Sequence, residues 1–346
     1  VERVSTPWTR DDARTFAALS AAALIFVAAV LLATTPQDAI SSMQSGNVAF
    51  FNYVYGAIGV VAALLVTGTS AVVPRKYPGP AGIALAHTVP FLTAASALRL
   101  SQSQWDTGGW IAVGVGLLVG SLAALTLPKR YRISIAAPLV LGTMMAATGL
   151  MVKVGSLSQV GVSALLFALV IVLLQLAPWI ALAHIPVRIL DANTSEQIPA
   201  QGITDQVTTS FVFVVSLRAG GALAAVFLTV SMLSTAGLRS FSVPLALVVL
   251  GSVSLILQTR SIRARVEVLL SSLTGLTTIL VGATLVTRAD PASLPWVTLS
   301  AIAAALVLVV TNVVGPRARP HLTRIADTIA VLSLFVLIPL AVYLWG

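Results

Sequence analysis

The feature that most constrains this chain is a succession of apolar runs of about 20 residues, the length a helix needs to cross a hydrocarbon core of roughly 30 Å. They fall near 15 to 34, 53 to 73, 81 to 98, 108 to 127, 133 to 152, 159 to 184, 211 to 236, 242 to 258, 267 to 287, 294 to 314 and 325 to 345. Pro, Gly or charged residues bound each run, as expected where a helix gives way to a turn. With 58% hydrophobic and 9% charged residues, the chain could not cover a water-facing surface with polar groups. The expectation is an all-α polytopic membrane protein of about eleven transmembrane helices. Its divisions would be a lead-in over residues 1–14, a helical domain over 15–346, and one longer hydrophilic connection at about 186–210. The third and eighth runs are short. The sixth and seventh are long enough to tilt, or to begin as interfacial helices before entering the bilayer.

Charge placement sets an orientation. Lys and Arg are retained on the cytoplasmic side of short loops, and an odd number of spans puts the two ends on opposite faces. With the start inside, Arg3, Arg10, Arg14, Arg75, Lys76, Lys129, Arg130, Arg132, Arg188, Arg218, Arg260, Arg263, Arg265, Arg317, Arg319 and Arg324 all fall inside, sixteen of the twenty basic residues. Arg99, Lys153, Arg239 and Arg288 remain outside, one per loop. The N-terminus is therefore expected in the cytoplasm and the C-terminus on the periplasmic side. The formal charge of +9 is scattered as short clusters between apolar runs, a topology signal and not the single basic face that nucleic acid requires. Six tryptophans, Trp8, Trp105, Trp110, Trp179, Trp296 and Trp345, lie near span ends, where an amphipathic ring anchors in the headgroup layer.

The spans carry little that does chemistry. Cysteine is absent and the three histidines, His87, His184 and His321, are far apart in the chain, so neither thiolates nor a histidine cluster offers a metal site; no cofactor is expected. Transporters and pumps keep ionisable groups at membrane depth, and here the candidates are His87 beside Pro90 and Asp327 in the first turn of the last run. His87 reads as a neutral histidine bonded to a neighbouring helix, with a proton relay as the alternative. Gln175 and Asn312 read as hydrogen-bonding glue between helices. The outer carboxylates Asp38, Asp106 and Asp290 occur singly, whereas acid and base catalysis calls for two tunable groups. No Gly-rich phosphate loop ending in Gly-Lys-Ser/Thr is present. The spans do hold small residues four apart, Gly116 with Gly120, Gly142 with Ala146 and Gly221 with Ala225, which let helix backbones approach closely in lipid.

Two inside segments are candidate contacts. The densest basic cluster, QTRSIRARVE over 258 to 267, sets Arg260, Arg263 and Arg265 beside the membrane; anionic lipid would reward each with about 1 kcal/mol, and an acidic partner surface is the alternative. The hydrophilic segment Pro186 to Ser210 mixes Arg188, Asp191, Glu196 and Asp205 with turn formers, shows no strong helical period, and reads as a contact loop.

Together, the eleven-run topology, the turn LQTRSIRARVEVLLSSLTGL at 257 to 276 and the ending RPHLTRIADTIAVLSLFVLIPLAVYLWG at 319 to 346 resemble the membrane region of EccD, the eleven-span subunit of mycobacterial-type type VII (ESX) secretion systems. The resemblance implies a multi-pass protein of the bacterial inner membrane and a ubiquitin-like cytosolic domain before Val1. It also implies two copies of the subunit enclosing a lipid-containing cavity, and association with EccB, EccE and the ATPase EccC. The expected function is then a non-enzymatic scaffold subunit whose partners are those subunits, a second copy and membrane lipids. A secondary transporter for a small molecule is the alternative, and a lipid-modifying membrane enzyme comes third; the transporter calls for an inverted repeat with two interrupted helices, and no convincing repeat is present.

Overall fold

A computed structural model describes residues 10–34, 48–76, 81–103, 105–127, 132–183, 200–235, 242–258, 265–295, 297–299, 302 and 319–345. Ten α-helices lie within these: α1 (Arg10–Thr34), α2 (Val48–Lys76), α3 (Ala81–Leu100), α4 (Thr107–Gly120), α5 (Ala136–Lys153), α6 (Gln159–Ala183), α7 (Ala200–Thr235), α8 (Ser242–Gln258), α9 (Arg265–Ala289) and α10 (Arg319–Trp345). Short 3-10 turns cover Ser121–Thr126, Ile133–Ile135 and Pro291–Ser293. Helix is the form such runs must take, because lipid offers no partner to a bare N–H or C=O and a helix satisfies both within one segment. Among the described residues, nine helices are long and apolar enough to cross a membrane, and α8 is a shorter apolar helix. The chain is thus an all-α, multi-pass membrane protein. Of the run expected at 294 to 314 only residues 294, 295, 297–299 and 302 are described, all helical; Trp8, Trp296, Asp38 and Asn312 lie outside the described residues.

The outside of the fold is apolar, which is the inverse of a soluble protein. Phe16, Leu24 and Leu31 on α1, Ile58 and Leu64 on α2, and Phe335 and Tyr343 on α10 are all exposed, while serines, threonines and alanines share the interior with Leu, Val and Ile side chains. That distribution follows from lipid as solvent: helices gain nothing by hiding leucine from hydrocarbon, so association rests on close backbone packing and hydrogen bonds.

The chain divides into two compact units, residues 1–150 with 188–216, and residues 151–187 with 217–346. In the first, α3 packs against α1, α2 and α4, around a core of Ala29, Ala63, Val89, Leu92, Ala95 and Ala123. The small-residue pairs are consumed here. A Cβ on Gly116 would stand 2.6 Å from Ala94 Cα, and one on Gly114 would stand 2.5 Å from Ala146 N, across the α4–α5 contact where Gly142 also lies. Thr93 adds a hydroxyl contact of 2.7 Å to the Gly116 carbonyl. His87 is bound as a fastener: Nδ1 lies 2.7 Å from the Ile83 carbonyl and Nε2 lies 3.0 Å from the Ser134 carbonyl, in the turn that leads into α5.

In the second unit the short helix α8 is central, packing against α6, α9 and α10. Gly251 meets the Phe167 ring, and Gly275 of α9 comes within 2.8 Å, measured from an added Cβ, of the Ser252 carbonyl. Ser252 and Thr278 share a 2.6 Å hydroxyl contact. Between α6 and α7, Gln159 Nε2 donates to the Ser231 carbonyl at 3.0 Å and the Ser163 and Ser231 hydroxyls meet at 2.7 Å. Gly221 packs on Leu174 and Ala225 is fully buried.

Three expectations are corrected. Residues 200 to 210, read as part of an irregular contact loop, are the start of α7, a helix of 36 residues. At 1.5 Å per residue it runs about 54 Å, so it extends past its apolar span, which begins at Thr208. Trp110 packs inside the first unit at 9% exposure, whereas Trp105 and Trp179 are exposed. The Trp105 ring N–H reaches the Ala33 carbonyl at 3.3 Å. Arg99 and Arg218, assigned to loops by charge counting, are buried helical residues at 3% and 2% exposure.

Candidate functional site

The basic turn expected to make contacts joins α8 to α9. Residues 259–264, with Arg260 and Arg263, lie outside the described residues; Arg265 opens α9 and is exposed. The described residues next to it carry polar ties between helices. Gln258, at the end of α8, donates through Nε2 to the Gln175 carbonyl of α6 at 3.2 Å, and the Gln175 side-chain amide donates to the Ser254 hydroxyl. Gln175 therefore does the helix-joining work read from its sequence context.

Two residues into α9, in its first turn, stands Glu267. Its carboxylate lies 3.4 Å from Arg218 Nε of α7, and the pair is almost wholly buried, with side-chain exposures of 13% and 2%. Arg218 Nη1 also donates to the Ser271 hydroxyl, one turn along α9 from Glu267. Arg218 Nη2 finds no hydrogen-bond acceptor among the described residues, and Nε meets Glu267 at ion-pair distance without hydrogen-bond geometry. Removing a guanidinium from water costs several kcal/mol, and a buried pair survives because each charge offsets the other's desolvation. Breaking one partner of such a pair costs on the order of 3–5 kcal/mol. The sequence signal was present, since Arg218 interrupts the apolar run at 211 to 236, but nothing local reveals that its partner is 49 positions away.

A second buried cation lies in the first unit. Arg99, in the last turn of α3, donates through Nε to the Leu32 carbonyl at 2.6 Å and through Nη1 to Asn52 Oδ1 at 3.4 Å. Leu32 belongs to the last turn of α1, whose carbonyls have no partner within their own helix. A cation there also complements the negative end of the helix dipole.

The single carboxylates described are structural. Asp106 caps α4, accepting from Gly109 N–H at 2.8 Å, and Asp290 caps the turn Pro291–Ser293, accepting from Ala292 N–H at 3.1 Å. Among the described residues no group of three or more His, Asp or Glu side chains could hold a metal.

With this arrangement of helices and buried polar ties in view, the family comparison is decisive: the model of the EccD-like transmembrane domain matches residues 12–346. The chain belongs to the EccD family. That makes it a membrane subunit of type VII secretion machinery, in a family that is structural and not catalytic, and places it as a multi-pass protein of the inner membrane. Solved structures share the fold of this chain. "Structure of protomer 1 of the ESX-3 core complex" superposes with a TM-score of 0.71 at 19% identity, covering 100% of this chain and 81% of that one. "MycP5-free ESX-5 inner membrane complex, State II" superposes with a TM-score of 0.60 at 18% identity, covering 88% of this chain and 70% of that one. No curated protein matches this chain in sequence.

Proposed function

We propose that this EccD chain is a structural scaffold of a type VII protein secretion complex. Its helices pair with a second copy in the inner membrane, and its cytoplasmic segments hold the ATPase EccC and the accessory subunits EccB and EccE. Residues 1–14 would lead in from a soluble cytosolic domain, with the N-terminus inside and the C-terminus periplasmic. The observation that carries the reading is how buried and half-buried polar groups within the apolar helices are used: Arg218 with Glu267 and Ser271, Gln175 with Ser254, and Ser252 with Thr278 all join one helix to another. Groups committed to each other in this way supply shape and stiffness, which suits a scaffold.

Arg260, Arg263 and Arg265 are the proposed contact set, meeting an acidic partner surface and anionic lipid together. Replacing all three by Glu tests this. Insertion and orientation should persist, because the remaining inside charges still set topology, while recovery of EccC with the affinity-tagged chain falls. An unchanged yield of the complex rejects the contact role.

A further inference from the structure

We infer that Arg218 is a positioning residue for Arg265: by gripping Glu267 and Ser271 it fixes the rotation and depth of the first turns of α9, and so decides that Arg265 faces outward. The inference rests on the reading of that turn as a contact surface. Glu267 and Ser271 are four residues apart and share one face of α9, so a guanidinium touching both resists sliding as well as turning. Its remaining nitrogen, Nη2, meets no acceptor among the described residues, and among them the polar contacts that hold the cation belong to α9. Any rotation of that helix leaves a buried charge bare. Residues two apart on a helix project about 200° from each other. Turning Glu267 inward therefore turns Arg265 outward, matching an exposed Arg265 beside a Glu267 whose side chain is 13% exposed.

The grip is local. Further along α9, the contacts Gly275 to the Ser252 carbonyl and Thr278 to Ser252 hold the helix on α8 independently of Arg218. Loss of the ion pair should loosen the first turns and leave the middle in place.

The chain contains no cysteine, so a single introduced one reports without background. Val266 and Leu280 are both exposed, at 44% and 64%, and neither touches the proposed contact set by substitution. A nitroxide at Val266→Cys or at Leu280→Cys is read by electron paramagnetic resonance in the full chain, reconstituted without partners in lipid nanodiscs. In the Glu267→Gln and Arg218→Gln backgrounds, a mobile component should appear at position 266 and be absent at 280; Ser271→Ala should give a smaller change of the same kind. An unchanged spectrum at 266 in an inserted Glu267→Gln chain overturns the inference, and so does equal loosening at both positions. EccC recovery by the same variants is then measured separately. If the 266 reporter loosens while EccC recovery holds, the contact reading falls and the positioning role stands.

Discussion

Arg218 and Glu267, 49 positions apart in sequence, form an ion pair that ties α7 to the first turn of α9 with almost no exposure to solvent. A charge pair at that depth is expensive to assemble and more expensive to break, because whichever partner remains is then a lone buried charge. Neutralising one partner, as in Glu267→Gln, should destabilise the second unit by on the order of 3–5 kcal/mol. Replacing both, as in Arg218→Met with Glu267→Leu, should recover most of that loss. Thermal unfolding of the detergent-solubilised single and double variants checks both outcomes; a double variant as weak as the singles would contradict the ion-pair account.

Arg99 should be irreplaceable by lysine. Its fork reaches the Leu32 carbonyl and Asn52 from one planar group, whereas an ammonium is a point charge on a flexible stem. Arg99→Lys is expected to cost about 1.5–3 kcal/mol, the worth of a hydrogen bond to a charged group. Asn52→Ala should cost less, since its contact is the longer one. Melting temperatures of the two variants give the order directly.

Glycine positions should split by what a methyl group would meet. Gly114→Ala and Gly116→Ala drive a Cβ into neighbouring backbone and should each destabilise the first unit by about 1–3 kcal/mol or more. Gly68 has nothing within 4 Å of an added Cβ, so Gly68→Ala should be neutral or stabilising by up to about 1 kcal/mol through helix propensity. Thermal stability of the three variants is the test, and equal gains at all three positions would show that propensity, not packing, governs them.

The absence of cysteine also makes topology directly measurable. With Val1→Cys and Gly346→Cys in separate chains, an impermeant maleimide applied from the periplasmic side should label the C-terminal cysteine in intact cells. The N-terminal one should label only after permeabilisation. Labelling of both from one side would defeat the odd-span orientation.

The spans were legible because a helix in lipid writes its length into the sequence as an apolar run. Agreement reaches the detail that the run at 242 to 258 is short. Small-residue spacing also carried information: Gly116 and Gly142 sit where helices touch. What charge counting concealed was depth. It treated Arg99 and Arg218 as loop residues, because a single Arg inside a run weighs the same as one beside it, and their partners Leu32, Asn52 and Glu267 belong to other helices. The start of α7 was missed for a related reason. Between residues 200 and 207 only Ala200, Ile203 and Val207 are apolar, among Gln, Gly, Thr and Asp, too sparse a stripe to announce a helix that forms as the extension of a longer one.

The central claim is that this EccD chain contributes shape and contacts to a larger assembly, and one measurement tests it most directly. Membranes from cells carrying the tagged chain are solubilised in a mild detergent, and the purified material is weighed by native mass spectrometry. The account predicts a particle containing two copies of the chain together with EccB, EccC and EccE; a monodisperse single chain with no co-purifying subunit would contradict it.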